Sequence, residues 1–360
     1  MKTSAFIAAA CSLWLLAVGA PDARAAGNPA AKSPPPTYPP ARFRQSMSGN
    51  AVIRAVDSRV YMFGGDSASG TAVNDLWYYS VAVGQWTLLT PASRTQSLYG
   101  RKLAALSCAE GQCVLFGGVS TKLYNETWYF AEPTGTALPV TWGQVSCRKA
   151  GACPSPRTAP LMAFDPSRRY RVSFGGNGSA EVALGDTWTF SGTRWTLRAP
   201  VHSPPARGDG SATFVPSHAS NGTAIEFNRV VIFGGDRGPT DPYPTTLCDL
   251  WAWTGSDWEQ ISTGPGRPCL TGAAIGWDAE NARLVVTGGF KDGPGLTPNS
   301  DTWYFRFDSS SSGHWTVASS TVCAPLRYAR GAYDTASEKF VFFGGSDGRG
   351  IKYDDTLVCP

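Results

Sequence analysis

The chain has 360 residues, of which 16% are charged and 42% apolar, with a formal net charge of +4. So small a positive balance gives no ground for nucleic-acid binding. With 40 glycines and 27 prolines, the composition describes a turn-rich, strand-built protein, neither helical nor disordered.

At the start of the chain, Lys2, the apolar run Ala5 to Ala20 and the small-residue site Ala23-Arg24-Ala25 form the pattern of a secretory signal peptide over residues 1–25. The apolar run falls short of the roughly 20 residues a membrane span needs, and no second run of that length follows. The expectation is an exported protein, secreted or periplasmic, cleaved near Ala25 and without a membrane span. Residues 26–43 contain Ser33-Pro34-Pro35-Pro36-Thr37-Tyr38-Pro39-Pro40. That is too much proline for a central strand, so they read as an extended leader.

From residue 44 to 360 one unit recurs. Double glycines close apolar, strand-like runs at Gly64-Gly65, Gly117-Gly118, Gly175-Gly176, Gly234-Gly235, Gly288-Gly289 and Gly344-Gly345, at intervals of 53 to 59 residues. Each unit holds four short segments rich in β-branched and aromatic residues and bounded by Gly, Pro, Asn and Ser, which is the strand signature. In the third unit they are Thr158–Phe164, Tyr170–Phe174, Asp186–Phe190 and Trp195–Leu197. The third segment opens with an acid in every unit: Asp75, Glu126, Asp186, Asp249, Asp301 and Asp355. The fourth carries Trp86, Trp142, Trp195, Trp258 and Trp315.

Double glycine, acid-x-Trp strand and outer tryptophan strand, at a period near 50 residues, resemble the kelch repeat over nearly the whole chain after the signal. The resemblance implies an all-β, six-bladed kelch-type β-propeller of four-stranded antiparallel blades. The blades would lie near 44–90, 99–146, 155–198, 206–262, 267–319 and 327–360. We label the strands of each blade a to d from the axis outward. The last blade runs out after its third strand, at Thr356 to Pro360. Either the leader around Thr37 to Phe43 supplies the missing strand, or the edge stays short and open.

Eight cysteines remain after the signal, an even number that suits disulfides in an oxidising compartment. Placed on the blades, Cys108 and Cys113 flank one a–b turn, and Cys147 and Cys153 flank one d–a loop. Cys248 and Cys269 lie in loops on a shared face, which leaves Cys323 with Cys359.

No nucleophile elbow, phosphate loop or zinc motif occurs. The copper of galactose oxidase, an enzyme of kelch type, needs two Tyr and two His, and the three histidines here (His202, His218 and His314) are split between the two faces. The expectation is therefore no catalytic residue, no metal and no cofactor.

What remains is a set of arginines. Arg101, Arg157, Arg207 and Arg330 precede strand a of their blades, with Arg44 and Arg267 a few residues further back in theirs. All six are expected near the channel mouth, on the face where the long b–c loops open. Guanidinium groups suit carboxylate and sulfate oxygens, and kelch propellers that bind acidic peptides use arginines at this position. The resemblance thus implies a non-enzymatic module for an acidic carbohydrate or acidic peptide. The competing reading makes the arginines a structural ring neutralised by the acids that open strand c. Two further readings are an exported sugar-modifying enzyme similar to the periplasmic sialic-acid epimerases, and a structural or adhesive surface protein.

Overall fold

The computed structural model describes residues 39–43, 46–49, 58–89, 98–133, 140–147, 152–218, 225, 227–238, 246–291, 297–318, 330–345 and 353–359. These belong to one unit, Pro34–Pro360. It is an all-β, six-bladed propeller whose blades are antiparallel sheets with strands in the order a-b-c-d.

Blade one comprises Ser46–Gly49, Arg59–Phe63, Leu76–Ser80 and Gln85–Leu89; blade two Ala105–Ala109, Gln112–Phe116, Thr127–Ala131 and Gly143–Gln144. Blade three comprises Leu161–Asp165, Tyr170–Phe174, Thr187–Ser191 and Arg194–Arg198, and blade four Ser211–Val215, Arg229–Phe233, Leu250–Trp253 and Trp258–Ile261. Blade five holds Ala274–Asp278, Arg283–Thr287, Thr302–Ser309 and Ser312–Val317. Blade six has three strands, Arg330–Asp334, Lys339–Phe343 and Thr356–Cys359.

Burial explains the sequence pattern. Strand a of blade three, Leu161–Asp165, is buried at every position because neighbouring blades cover both of its faces, and its sequence is correspondingly short of polar alternation. Strand d, Arg194–Arg198, buries Trp195 but leaves Arg194, Thr196 and Leu197 in solvent.

The buried outer tryptophan is the joint between blades. Trp195 of blade three lies 4.9 Å from Phe116 of blade two and donates its Nε1–H to Thr127 Oγ1 at 2.8 Å. Trp258 repeats this on Phe174 and Thr187. Trp86 of blade one packs on Phe343 and donates to Thr356 Oγ1 at 2.8 Å, so the first blade is locked onto the sixth and the ring closes.

Where the pattern breaks, both halves break together. Among the described residues blade six has no outer strand, and blade five, which would receive its tryptophan, carries Thr287 where the other blades have Phe63, Phe116, Phe174, Phe233 and Phe343. The hydroxyls of Thr287 and Thr302 bond each other instead, at 3.1 Å. Blade four offers Leu250 in place of a threonine, and the Nε1–H of Trp315 above it is buried without an acceptor.

The double glycines hold the neighbouring blade's backbone. Gly64 has φ +67°, and a Cβ there would stand 2.3 Å from the carbonyl oxygen of Arg101 in the next blade. The adjacent Gly65 N–H donates to that same oxygen at 3.0 Å. Glycine meets both demands, the left-handed backbone and the close approach.

Of the two expectations for closure, the short, open edge is the one met among the described residues, where blade six keeps three strands. Arg42–Phe43 pairs with Asp66–Ser67, the b–c loop of blade one, and not with blade six. Thr37 and Tyr38 lie outside the described residues. On the third strand of blade six, Leu357 and Val358 are exposed.

Three disulfides join pairs of described residues, Cys108–Cys113, Cys147–Cys153 and Cys248–Cys269, with Cα separations of 3.9, 5.7 and 4.1 Å. Cys359 is disulfide-bonded, and Cys323, its expected partner, lies outside the described residues. Among the described residues no helix is long and apolar enough to cross a membrane.

Candidate functional site: the face of the b–c loops

Four residues ahead of strand a, blades two, three and four place Arg101, Arg157 and Arg207, which are only 0%, 1% and 0% exposed. Their backbones staple neighbouring blades: Arg157 N–H donates to Tyr124 O, and Arg157 O accepts from Gly118 N–H at 2.8 Å. The Arg157 side chain turns back into its own blade, donating to Asp186 Oδ1 and Oδ2 at 2.6 and 2.8 Å, to Gly175 O and to Ser155 O. Arg101 does the same with Glu126 and Gly117 O. The acid is shared, since Trp188 Nε1–H also donates to Asp186 and Trp128 Nε1–H to Glu126.

Burial alone would raise the Asp186 and Asp249 carboxyls. The hydrogen bonds and charge of Arg157 and Arg207, with help from Trp188 and Trp251, more than offset it and hold both below the ordinary carboxylate range. Burial lowers the Arg101 guanidinium, and Glu126 restores part of the shift. The donors of these three arginines are directed at scaffold acceptors rather than at the channel.

The other expected arginines occupy different positions. In blade five the stapled residue is Leu270, whose carbonyl accepts from Gly235 N–H at 2.9 Å, while Arg267 stands three residues earlier, exposed in the d–a connection. In blade one, Phe43 pairs with Asp66 as Lys102 pairs with Val119, so the backbone register gives the equivalent place to Arg42. Arg44 lies outside the described residues. Arg330 is the first residue of strand a itself, four positions later than Arg101 in its blade. It lines the central channel and pairs with Asp209 of blade four, reaching past Gly272 of blade five, whose absent Cβ would lie 3.4 Å from Arg330 Nη1.

Around the mouth runs a collar of left-handed residues, Leu103, Ala159 and Asp209 at φ 55°, 48° and 50°, followed by Gly272. Each donates to the carbonyl of the one before: Ala159 N–H to Leu103 O, Asp209 N–H to Ala159 O, and Gly272 N–H to Asp209 O. Three non-glycine residues in this conformation are a cost that the surrounding bonds impose. The channel inside the collar has a volume of about 210 Å³ and is lined largely by small residues such as Ala105, Gly210 and Ala273. At its rim, burial and the neighbouring Asp209 raise the Asp236 carboxyl, against a hydrogen bond from Thr271.

A second concavity, of about 520 Å³, opens on the same face between blades one and two. Its floor is an aromatic pair: Tyr99, 57% exposed, lies parallel to buried Tyr124 with ring centres 6.4 Å apart and planes within 9°. Arg101 sets both rings, its Nε–H donating to Tyr99 O at 3.2 Å and its guanidinium lying 4.1 Å from the Tyr124 ring centre. Ser120 Oγ and Tyr124 Oη are 2.7 Å apart. Lys122 Nζ stands 5.6 Å from the Tyr124 ring, and Lys102 pairs with Asp66 at 2.7 Å.

Tyr99 sits in a d–a connection, and a search for strand-borne charge passes over it. Alignment on the arginine would have found it, because two residues before Arg101, Arg157 and Arg207 stand Tyr99, Ser155 and Pro205. A family model described as the KLHDC2/KLHL20/DRC7 Kelch-repeats domain matches residues 30–220. A search of curated proteins returned no match.

Proposed function

Since the chain belongs to the kelch-repeat family, we propose that it is an exported, non-catalytic binding module that takes an acidic ligand on the face of its b–c loops. One observation carries this reading: on that face the groove between blades one and two is lined both by Lys122, 5.6 Å from the buried Tyr124 ring, and by the exposed Tyr99 ring stacked on Tyr124. An ammonium at the edge of a flat apolar surface suits a ligand that combines carboxylate and hydrocarbon. Of the arginines expected to serve, Arg330 keeps a place at the channel mouth, while Arg101, Arg157 and Arg207 support the surface from beneath. The three disulfides support export, and the expected product begins at Ala26.

Retention on an array of acidic glycans and acidic peptides tests this reading. Lys122→Glu should weaken retention at least tenfold at low salt with no change in thermal unfolding. Full retention by that variant, or none by the parent protein, would remove the reading. An intact mass showing residues 1–25 still attached to exported protein would remove the export claim.

A further inference from the structure

The groove between blades one and two breaks the repeat that builds the rest of the molecule. Among the stapled blades, the residue two before the arginine is aromatic in blade two alone, with Ser155 and Pro205 in blades three and four. The b–c loop residue whose carbonyl accepts the next blade's staple is Val73, Tyr124 and Leu184 in turn. Blade two therefore departs from the repeat twice, and the departures meet as one parallel stack. Packing does not require Tyr99, since most of its surface is in solvent.

The rims around that ring are rich in hydroxyls. Thr71 lines one side, its hydroxyl held by Ser69 Oγ at 3.2 Å, and Ser120 and Thr121 line the other. Hydroxyls both donate and accept, so such rims can exchange their mutual bonds for those of a polyhydroxylated ligand. An exposed, flat ring between them matches the apolar face of a sugar ring, and Lys122, which lines the same groove, supplies an ammonium for a carboxylate substituent.

We propose that this groove is a subsite for a carboxylate-bearing pyranose, with Tyr99 as the stacking platform and Lys122 as the partner of the carboxylate. The inference rests on the acidic-ligand reading above and narrows it to a glycan.

The test is titration calorimetry with three probes: an oligogalacturonide tetramer, its fully methyl-esterified counterpart and an octaglutamate peptide. The tetramer should bind, and Tyr99→Ala should weaken it at least tenfold. Tyr99→Phe, which keeps the ring, should bind within about twofold of the parent, the expected loss for a weak, exposed hydroxyl contact. Lys122→Gln should weaken the tetramer and leave the methyl ester unchanged. Tetramer affinity unaltered by Tyr99→Ala would overturn the assignment. Binding of octaglutamate alone would overturn it while leaving the acidic-ligand reading standing, and binding of none of the three would end both.

Discussion

Arg207 grips Asp249 through two parallel hydrogen bonds, Nη1 to Oδ1 at 2.7 Å and Nη2 to Oδ2 at 2.8 Å, with the guanidinium wholly buried. Removing one member strands the other charge in a low-dielectric site, which costs about 3–5 kcal/mol. Arg207→Leu and Asp249→Leu should each lower the denaturant midpoint accordingly. The double variant should lose less than the sum of the two. Additive losses would show that the pair is not coupled.

Gly64 and Gly70 separate backbone conformation from crowding. Both have positive φ, +67° and +80°, but a Cβ at Gly70 meets nothing within 4 Å, whereas one at Gly64 strikes Arg101 O. Gly70→Ala should cost about 1–2 kcal/mol from its left-handed backbone alone. Gly64→Ala adds overpacking of about 1–3 kcal/mol. Equal melting temperatures for the two variants would contradict the close-approach argument.

The tryptophan joints predict a graded series. Thr127→Val leaves the buried Trp195 Nε1–H without its acceptor and should destabilise by about 1–3 kcal/mol. Leu250→Val, beneath Trp315, removes no hydrogen bond and should cost only the lost methylene and its cavity, about 1 kcal/mol. Chemical denaturation of the two variants side by side checks the order.

The pH dependence has two limbs of opposite sign. Asp186 and Asp249 have native pKa values below the ordinary 3.8, so their contribution is complete above that value and is lost as pH falls through the lower native one. Asp236 is raised, so the native state holds its proton more tightly. Stability then declines as pH climbs from 3.8 through the raised value. Asp249→Asn should flatten the acid limb of a stability–pH curve, and Asp236→Asn should remove the decline on the other side. An unchanged curve in either variant would contradict the corresponding assignment.

Much of the fold was legible in the chain because its signatures recur from blade to blade, the double glycine six times and acid-x-Trp five. Gly-Gly marks where one blade's turn touches the next blade's carbonyl, and in blades two, three and four acid-x-Trp marks where an indole and a guanidinium share one carboxylate. The site was harder to read. Arg267 and Leu270 are three residues apart, and which of them is stapled depends on a backbone register that charge does not reveal. Arg330 stands in the same Ala-Arg-Gly context as Arg207, yet lies four positions further into its blade. Most of all, the arginines expected to face a ligand meet the competing structural reading. Each starts beside the b–c loop and has to reach only its own strand-c acid, which Arg157 does at 2.6 Å. Tyr99 carries no charge and lies in a connection, so nothing local set it apart.

The most direct measurement is hydrogen–deuterium exchange with and without the oligogalacturonide tetramer. The account predicts slowed exchange in segments 66–72, 98–102 and 119–124, with little change in the a–b turns of the opposite face, such as Glu110–Gly111 and Arg168–Arg169. Protection confined to those turns, or absent from the Tyr99 segment while the tetramer is bound, would contradict it.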